Sequence, residues 1–180
     1  MRIRVGKWFR VESISFPRCG HKLTADLLRA YFGNEFKYQD VCPPRGQFSE
    51  GYHFQKNHDF DLDVPIQKDR SYLVQVRDPF DAIFSWHKMT VGLDGIAEDI
   101  HSVREIMAQK QDYWAGFVKK WVASEIPNRL VVRYCELIGF PESSLERIVR
   151  LFGERPDPER IKKAIAVVGI TPPRRNFFAL

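Results

Sequence analysis

The residues best suited to chemistry lie in two short interruptions of the hydrophobic pattern. In the first, Pro17-Arg18-Cys19-Gly20-His21-Lys22 separates Val11 to Phe16, which alternates as a strand does, from the helical spacing of Leu23, Leu27, Leu28 and Tyr31. A strand–loop–helix turn aims main-chain N–H groups and the positive end of the helix dipole at one point, where an anion is stabilised. Arg18 and Lys22 add charge there. The competing reading is an ordinary turn with exposed basic residues. In the second interruption, Ser71 to Val76 reads as a buried strand, Arg77-Asp78-Pro79 breaks it, and Ala82, Ile83 and Trp86 restart with helical spacing. A guanidinium at a strand end can grip a phosphate through two parallel bonds, and Ser85 on the following helix adds a hydroxyl. The alternative there is an Arg–Asp surface pair.

The elements that must position these residues follow from the same periodicities. Ile100 to Val122 carries a helical stripe through Ile106, Tyr113, Trp114, Phe117, Val118 and Trp121, and Leu130 to Tyr134 returns to strand. Ser143 to Phe152 is helical with Gly153 as its stop, and a last helix runs from Pro158 to about Val168. Strands alternating with helices predict an α/β fold: a three-layer, P-loop-like parallel sheet with helices on both faces. Residues 1–180 then form one domain, and ligands bind at the carboxyl ends of the strands, where both interruptions fall.

Composition narrows the partners. With 44% hydrophobic residues and 14 Phe, the chain is far from the polar profile of disordered proteins. No window reaches the roughly 18 to 20 apolar residues that span a bilayer, and the first residues lack the apolar stretch of a secretory signal, so the expected location is the cytoplasm. Cys19, Cys42 and Cys135 are too scattered for a disulfide framework or a zinc site, and no carboxylate cluster calls for a metal. A net charge of +5 favours a negatively charged partner. Nothing resembles a nucleic-acid-binding signature, so nucleic acid is not expected.

Three ordered blocks between Val11 and Gly153 resemble the sulfotransferases that use 3′-phosphoadenosine 5′-phosphosulfate (PAPS). SFPRCGHKL is similar to their 5′-phosphosulfate loop, with Pro17 and Gly20 in place and Arg18 where the family has a basic residue contacting the sulfate. Cys19, His21 and Lys22 replace the usual Ser, Thr and Thr. VQVRDPFDAIFSWHK resembles the 3′-phosphate segment, in which Arg77, Pro79 and Ser85 match at the family spacing. Gln55 to Phe60 resembles the segment that supplies the catalytic base, which points to His58, with Lys56 as a second cation; His53 and His21 are reserves. Arg129 to Gly153 resembles a later block, in which Tyr134 matches an aromatic near the adenine. The family's C-terminal glycine loop has no counterpart in TPPRRNFFAL, where Arg174 and Arg175 are the candidate substitutes.

The resemblance implies a transferase that moves the sulfuryl group of PAPS, its cosubstrate, to a hydroxyl or amine of a small-molecule or glycan acceptor. His58, Arg18 and Lys56 would be catalytic, and Pro17, Arg18, Cys19, Gly20, His21, Lys22, Arg77, Ser85 and Tyr134 would hold the nucleotide. Segments Gln39 to Phe54 and Met89 to Arg104 are candidate acceptor walls. The competitors are a P-loop kinase or NTPase, against which the absence of G-x-x-x-x-G-K-[ST] counts, and a non-catalytic nucleotide- or anion-binding module on the same fold.

Overall fold

The computed structural model describes residue 2 and residues 4–40, 50–94 and 99–170. Cys42, Arg174 and Arg175 lie outside the described residues, as do parts of both expected acceptor walls. A two-residue hairpin, β1 (Arg4–Val5) and β2 (Trp8–Phe9), precedes β3 (Val11–Ser15), α1 (His21–Phe32), β4 (Tyr38–Gln39), β5 (Phe54–Asn57), β6 (Ser71–Val76) and α2 (Pro79–Asp94). Then come α3 (Ile100–Phe117), a π-helical segment (Val118–Ala123), β7 (Arg129–Arg133), α4 (Tyr134–Gly139), α5 (Pro141–Leu151) and α6 (Pro158–Val168). The sheet is wholly parallel in the order β4-β5-β3-β6-β7, with Val11 opposite Phe54 on one side and Ser71 on the other. This is the three-layer architecture expected from the alternation of elements.

Each face of the sheet carries its own apolar layer, as the period of two requires. Val11, Leu73 and Val132 pack with Leu27 and Leu28 of α1, Leu145 and Ile148 of α5, and Ile161 of α6. Their sequence neighbours Ile14, Tyr72 and Val74 face the other way, onto Ile83 of α2, Phe117 of α3 and Trp121 of the π-helical segment. Burying one such aliphatic or aromatic side chain contributes about 1.5 to 3 kcal/mol. Asp157 caps α6 by accepting from the Glu159 and Arg160 amides, Pro158 takes the first helical position, and Gly169 ends the helix at φ 74°.

Strand β3 alternates apolar and polar residues, yet all five are buried, as a strand covered on both faces must be. The polar ones are matched instead: Glu12 pairs with Arg10 and Arg70, Ser13 meets His21, and Ser15 meets His58. A central strand covered on both sides can hold polar residues only if each finds a partner, because an unpaired buried group costs about 1 to 3 kcal/mol. Tyr134, expected at a strand end, is the first residue of α4.

The chain leaves β3 towards β4 and β5 on one side and then crosses to β6 and β7 on the other. The loops after β3 and β6 therefore diverge at a switch point, where parallel α/β sheets open a crevice.

Candidate functional site

A cavity of about 490 Å³ follows the carboxyl edge of the sheet, with Asp40 after β4, Lys56 and His58 at β5, Arg18 and Gly20 after β3, Arg77 after β6 and Tyr134 after β7. Every strand end contributes to it. The loop after β3 makes its turn with two residues in the left-handed region, Arg18 at φ 66° and Gly20 at φ 90°. Glycine is required at position 20 for a second reason. A Cβ there would lie 2.7 Å from the Tyr134 ring, inside any real contact. Gly20 is also the N-cap of α1, so the first amides of that helix have no intrahelical acceptor and face the crevice.

The two loops meet through side chains. Arg18 Nε donates to Ser85 Oγ at 3.1 Å and its Nη1 reaches Met89 Sδ at 3.6 Å, tying the first loop to α2. The Arg77 guanidinium lies 4.5 Å above the Tyr134 ring and makes only a long 3.5 Å contact with Asp81. Its Nε is buried with no hydrogen-bond acceptor among the described residues. Lys56 pairs with Asp40 at 3.1 Å, and Lys22, 81% exposed, pairs with Asp26 at 2.8 Å. Among the described residues, four cations thus line the cavity against the single carboxylate of Asp40, a field suited to a multiply charged anion.

His58 is held on three sides. Its Nδ1 lies 2.6 Å from the Ser15 carbonyl oxygen, which can only accept, so Nδ1 carries the proton and Nε2 is left with a free lone pair. Tyr113 donates to the His58 carbonyl at 2.5 Å. Next in the chain, the buried Asp59 carboxylate accepts from Lys120, Trp121 and the Val64 amide, and the π-helical turn brings the consecutive Lys120 and Trp121 to that one group. Burial lowers the His58 pKa to about 4, outweighing the Ser15 hydrogen bond that favours the charged form. His58 is therefore neutral near pH 7, as a base must be.

Two expected ligand side chains are already engaged. The Cys19 thiol is buried in the apolar layer beneath α2, contacts the Pro17 carbonyl, and is pushed up to about 12 by burial. Its amide is also spent on the Phe16 carbonyl. The His21 imidazole is engaged at both nitrogens, by Ser13 at 2.7 Å and Tyr38 at 2.6 Å, and stacks on Phe54, so it borders the cavity with neither ring nitrogen free for a ligand. Of the reserve bases, His53 is buried under Trp8 and Phe36, away from the cavity. Sequence reasoning did not single out Phe60 and Trp86, and it covered Asp40 only as part of the Gln39 to Phe54 candidate wall; all three line the cavity beside Lys56, His58 and Met89.

No family model and no curated protein matches the sequence. Solved structures do. Mouse sulfotransferase SULT7A1 complexed with PAP superposes at a TM-score of 0.68 with 15% identity, over 93% of this chain and 66% of that one. Retinol dehydratase in complex with androsterone and inactive cofactor PAP gives 0.58 and 16%, over 91% and 66%. The chain has the sulfotransferase fold. The sulfotransferase domain from the curacin biosynthetic pathway agrees, at 0.54 and 13% identity over 91% and 78%. This chain spans about two thirds of the length of the first two. Within the sulfotransferase fold, the cavity collects from separate strand ends the residues picked out by spacing: Arg18, Lys56, His58, Arg77, Ser85 and Tyr134.

Proposed function

We propose that the chain is a single-domain, PAPS-dependent sulfotransferase acting in the cytoplasm on a hydroxyl or amine of a small-molecule or glycan acceptor. The observation that carries this reading is the cavity itself: a row of cations ending at a neutral histidine, on a fold whose solved members include PAP complexes. Arg77 has unmet hydrogen-bonding capacity and Ser85 lines the same cavity, which suits a terminal phosphate. Tyr134, packed on Gly20 and under Arg77, offers a surface for the base. The α1 amides and Arg18 suit the 5′-phosphosulfate.

In the transfer, the acceptor oxygen or nitrogen forms a bond to sulfur as the bond from sulfur to the 5′-phosphate oxygen breaks, releasing 3′-phosphoadenosine 5′-phosphate (PAP). His58 Nε2 takes the acceptor's proton, and Arg18 and Lys56 offset the charge that develops on the transferring and leaving oxygens. Phe60, Trp86 and Met89 flank this end and form a largely apolar approach for the acceptor. Among the described residues, no helix is long and apolar enough to cross a membrane.

Thermal unfolding tests the reading. PAP at 100 times its dissociation constant adds about 2.7 kcal/mol, a shift of several degrees for a chain of this length. The shift is expected with PAP and not with 5′-AMP, which lacks the 3′-phosphate. No shift with PAP, or a larger one with ATP and magnesium, would sink the proposal.

A further inference from the structure

Lys56 pairs with the last member of a chain of side chains that begins buried on the central strand and ends at the exposed Asp40 carboxylate. Its Nζ contacts Asp40 Oδ1 at 3.1 Å, and the same oxygen takes the Tyr38 hydroxyl at 2.7 Å. Tyr38 oxygen lies 2.6 Å from His21 Nε2, and His21 Nδ1 lies 2.7 Å from Ser13 Oγ. The proton positions follow by elimination. A carboxylate only accepts, so Tyr38 donates to Asp40; Tyr38 oxygen then accepts from His21 Nε2–H; Nδ1 of the neutral ring accepts from the Ser13 hydroxyl. Burial, with His58 and Lys56 nearby, lowers the His21 pKa to about 3, so the ring stays neutral. Desolvation alone would raise the Asp40 pKa, but the hydrogen bonds from Tyr38 and Lys56 hold it below its usual value. The chain crosses four elements and runs in one direction.

It also answers a mechanical need. Among the described residues, strand β4 lies at the sheet edge and is in register with β5 at Tyr38–Phe54 and Gln39–Gln55, with further backbone bonds from His53 and Phe54 to the Lys37 carbonyl, and Asp40 lies beyond the last of these pairs. Backbone pairing this brief does not fix a side chain at its end. The Tyr38–His21–Ser13 chain anchors that end to β3 instead.

We infer that Ser13, His21, Tyr38 and Asp40 form a positioning device that holds the Lys56 ammonium at the sulfuryl end of the cavity. The inference rests on the sulfotransferase reading of the site. Histidine and not threonine at position 21 is what makes the chain continuous, because the side chain must present an acceptor to Ser13 and a separate donor to Tyr38, which one short hydroxyl cannot do. The His21 side chain thereby serves catalysis through Lys56 and not through contact with the nucleotide.

Four variants and two measurements test it. Tyr38→Phe removes one hydroxyl and keeps the ring packed on Phe54 and under Arg29. Asp40→Asn weakens the hold on Lys56, His21→Leu cuts the chain, and His21→Gln retains a donor and an acceptor. In spectra of protein carrying 15N-labelled lysine, the Lys56 ammonium signal, assigned by its loss in Lys56→Arg, is expected in wild type and His21→Gln. It should broaden or shift in the other three. Calorimetric titration with PAP and with PAPS should show PAPS weakened about three- to tenfold relative to PAP in Tyr38→Phe and His21→Leu, and the wild-type ratio in His21→Gln. An unchanged Lys56 signal and an unchanged PAPS-to-PAP ratio in Tyr38→Phe overturn the inference, as does equal weakening of both nucleotides. If wild-type protein fails to bind PAP, the sulfotransferase reading falls, and with it the service of Lys56 to a sulfuryl group; the lysine signal still decides whether the chain sets its position.

Discussion

The loops after β3 and β6 border the same cavity and were read from the sequence in the same way, yet they serve it differently. The loop after β6 contributes side chains: Arg77 and Ser85 both line the cavity. The loop after β3 contributes mainly backbone. Cys19 turns into the apolar layer, His21 turns into a buried hydrogen-bonded chain, Lys22 is paired with Asp26 on the surface, and Arg18 alone extends a side chain across to α2. Residue types in a backbone-donating loop are therefore free to differ from a family pattern so long as the turn survives. In a side-chain-donating loop the identities must persist.

The largest effect that sharpens this contrast lies outside both loops. His58→Ala is expected to lower turnover about 10²- to 10⁴-fold while leaving PAP affinity near wild type. A loss of PAP binding there would mean that His58 holds nucleotide and not the acceptor proton. The pH behaviour follows from its lowered pKa. An NMR titration should find the His58 ring neutral down to about pH 4, charging only below it, where an exposed histidine charges near 6.5. Charging near 6.5 would contradict the burial that the geometry shows.

Next comes the turn itself. Gly20→Ala places a Cβ at 2.7 Å from Tyr134 in a left-handed backbone, and should cost about 2 to 4 kcal/mol of stability in denaturant unfolding and most of the PAP affinity. Tolerance of alanine would remove the argument for a backbone-built loop. Arg77→Ala follows, with an expected 10- to 100-fold loss of PAP affinity by calorimetry, about the contribution of one or two charge-assisted hydrogen bonds, and little change in Tm. The smallest effect is expected from Cys19, whose thiol is buried in the apolar layer. Cys19→Ala should lower stability by about 1 kcal/mol through lost packing, with PAP affinity within about twofold of wild type. A tenfold loss of affinity in Cys19→Ala would erase the distinction between the loops.

Much of the fold was legible because its signals are local. Val11 to Phe16, Ser71 to Val76 and the helix from Pro158 to Val168 carry their period and their breakers within a dozen residues, and the structure places them within a residue of those bounds. Strands β1, β2, β4 and β5 escaped notice because two to four residues display no period. The same brevity hid Tyr38 and Asp40, whose importance depends on meeting His21 and Lys56 from other strands.

The sequence by itself determined the order of the longer elements, the two strand-to-helix turns and the residue types they offer, since propensity, periodicity and turn chemistry act over short distances along the chain. Tertiary structure decided which of those groups reach the cavity. Arg77 does because β6 is central and its loop opens at the switch point, whereas His21 brings no free ring nitrogen there because Ser13 and Tyr38, on other elements, satisfy both first. A buried polar group goes where its hydrogen bonds are met, and that location is a property of the packed sheet.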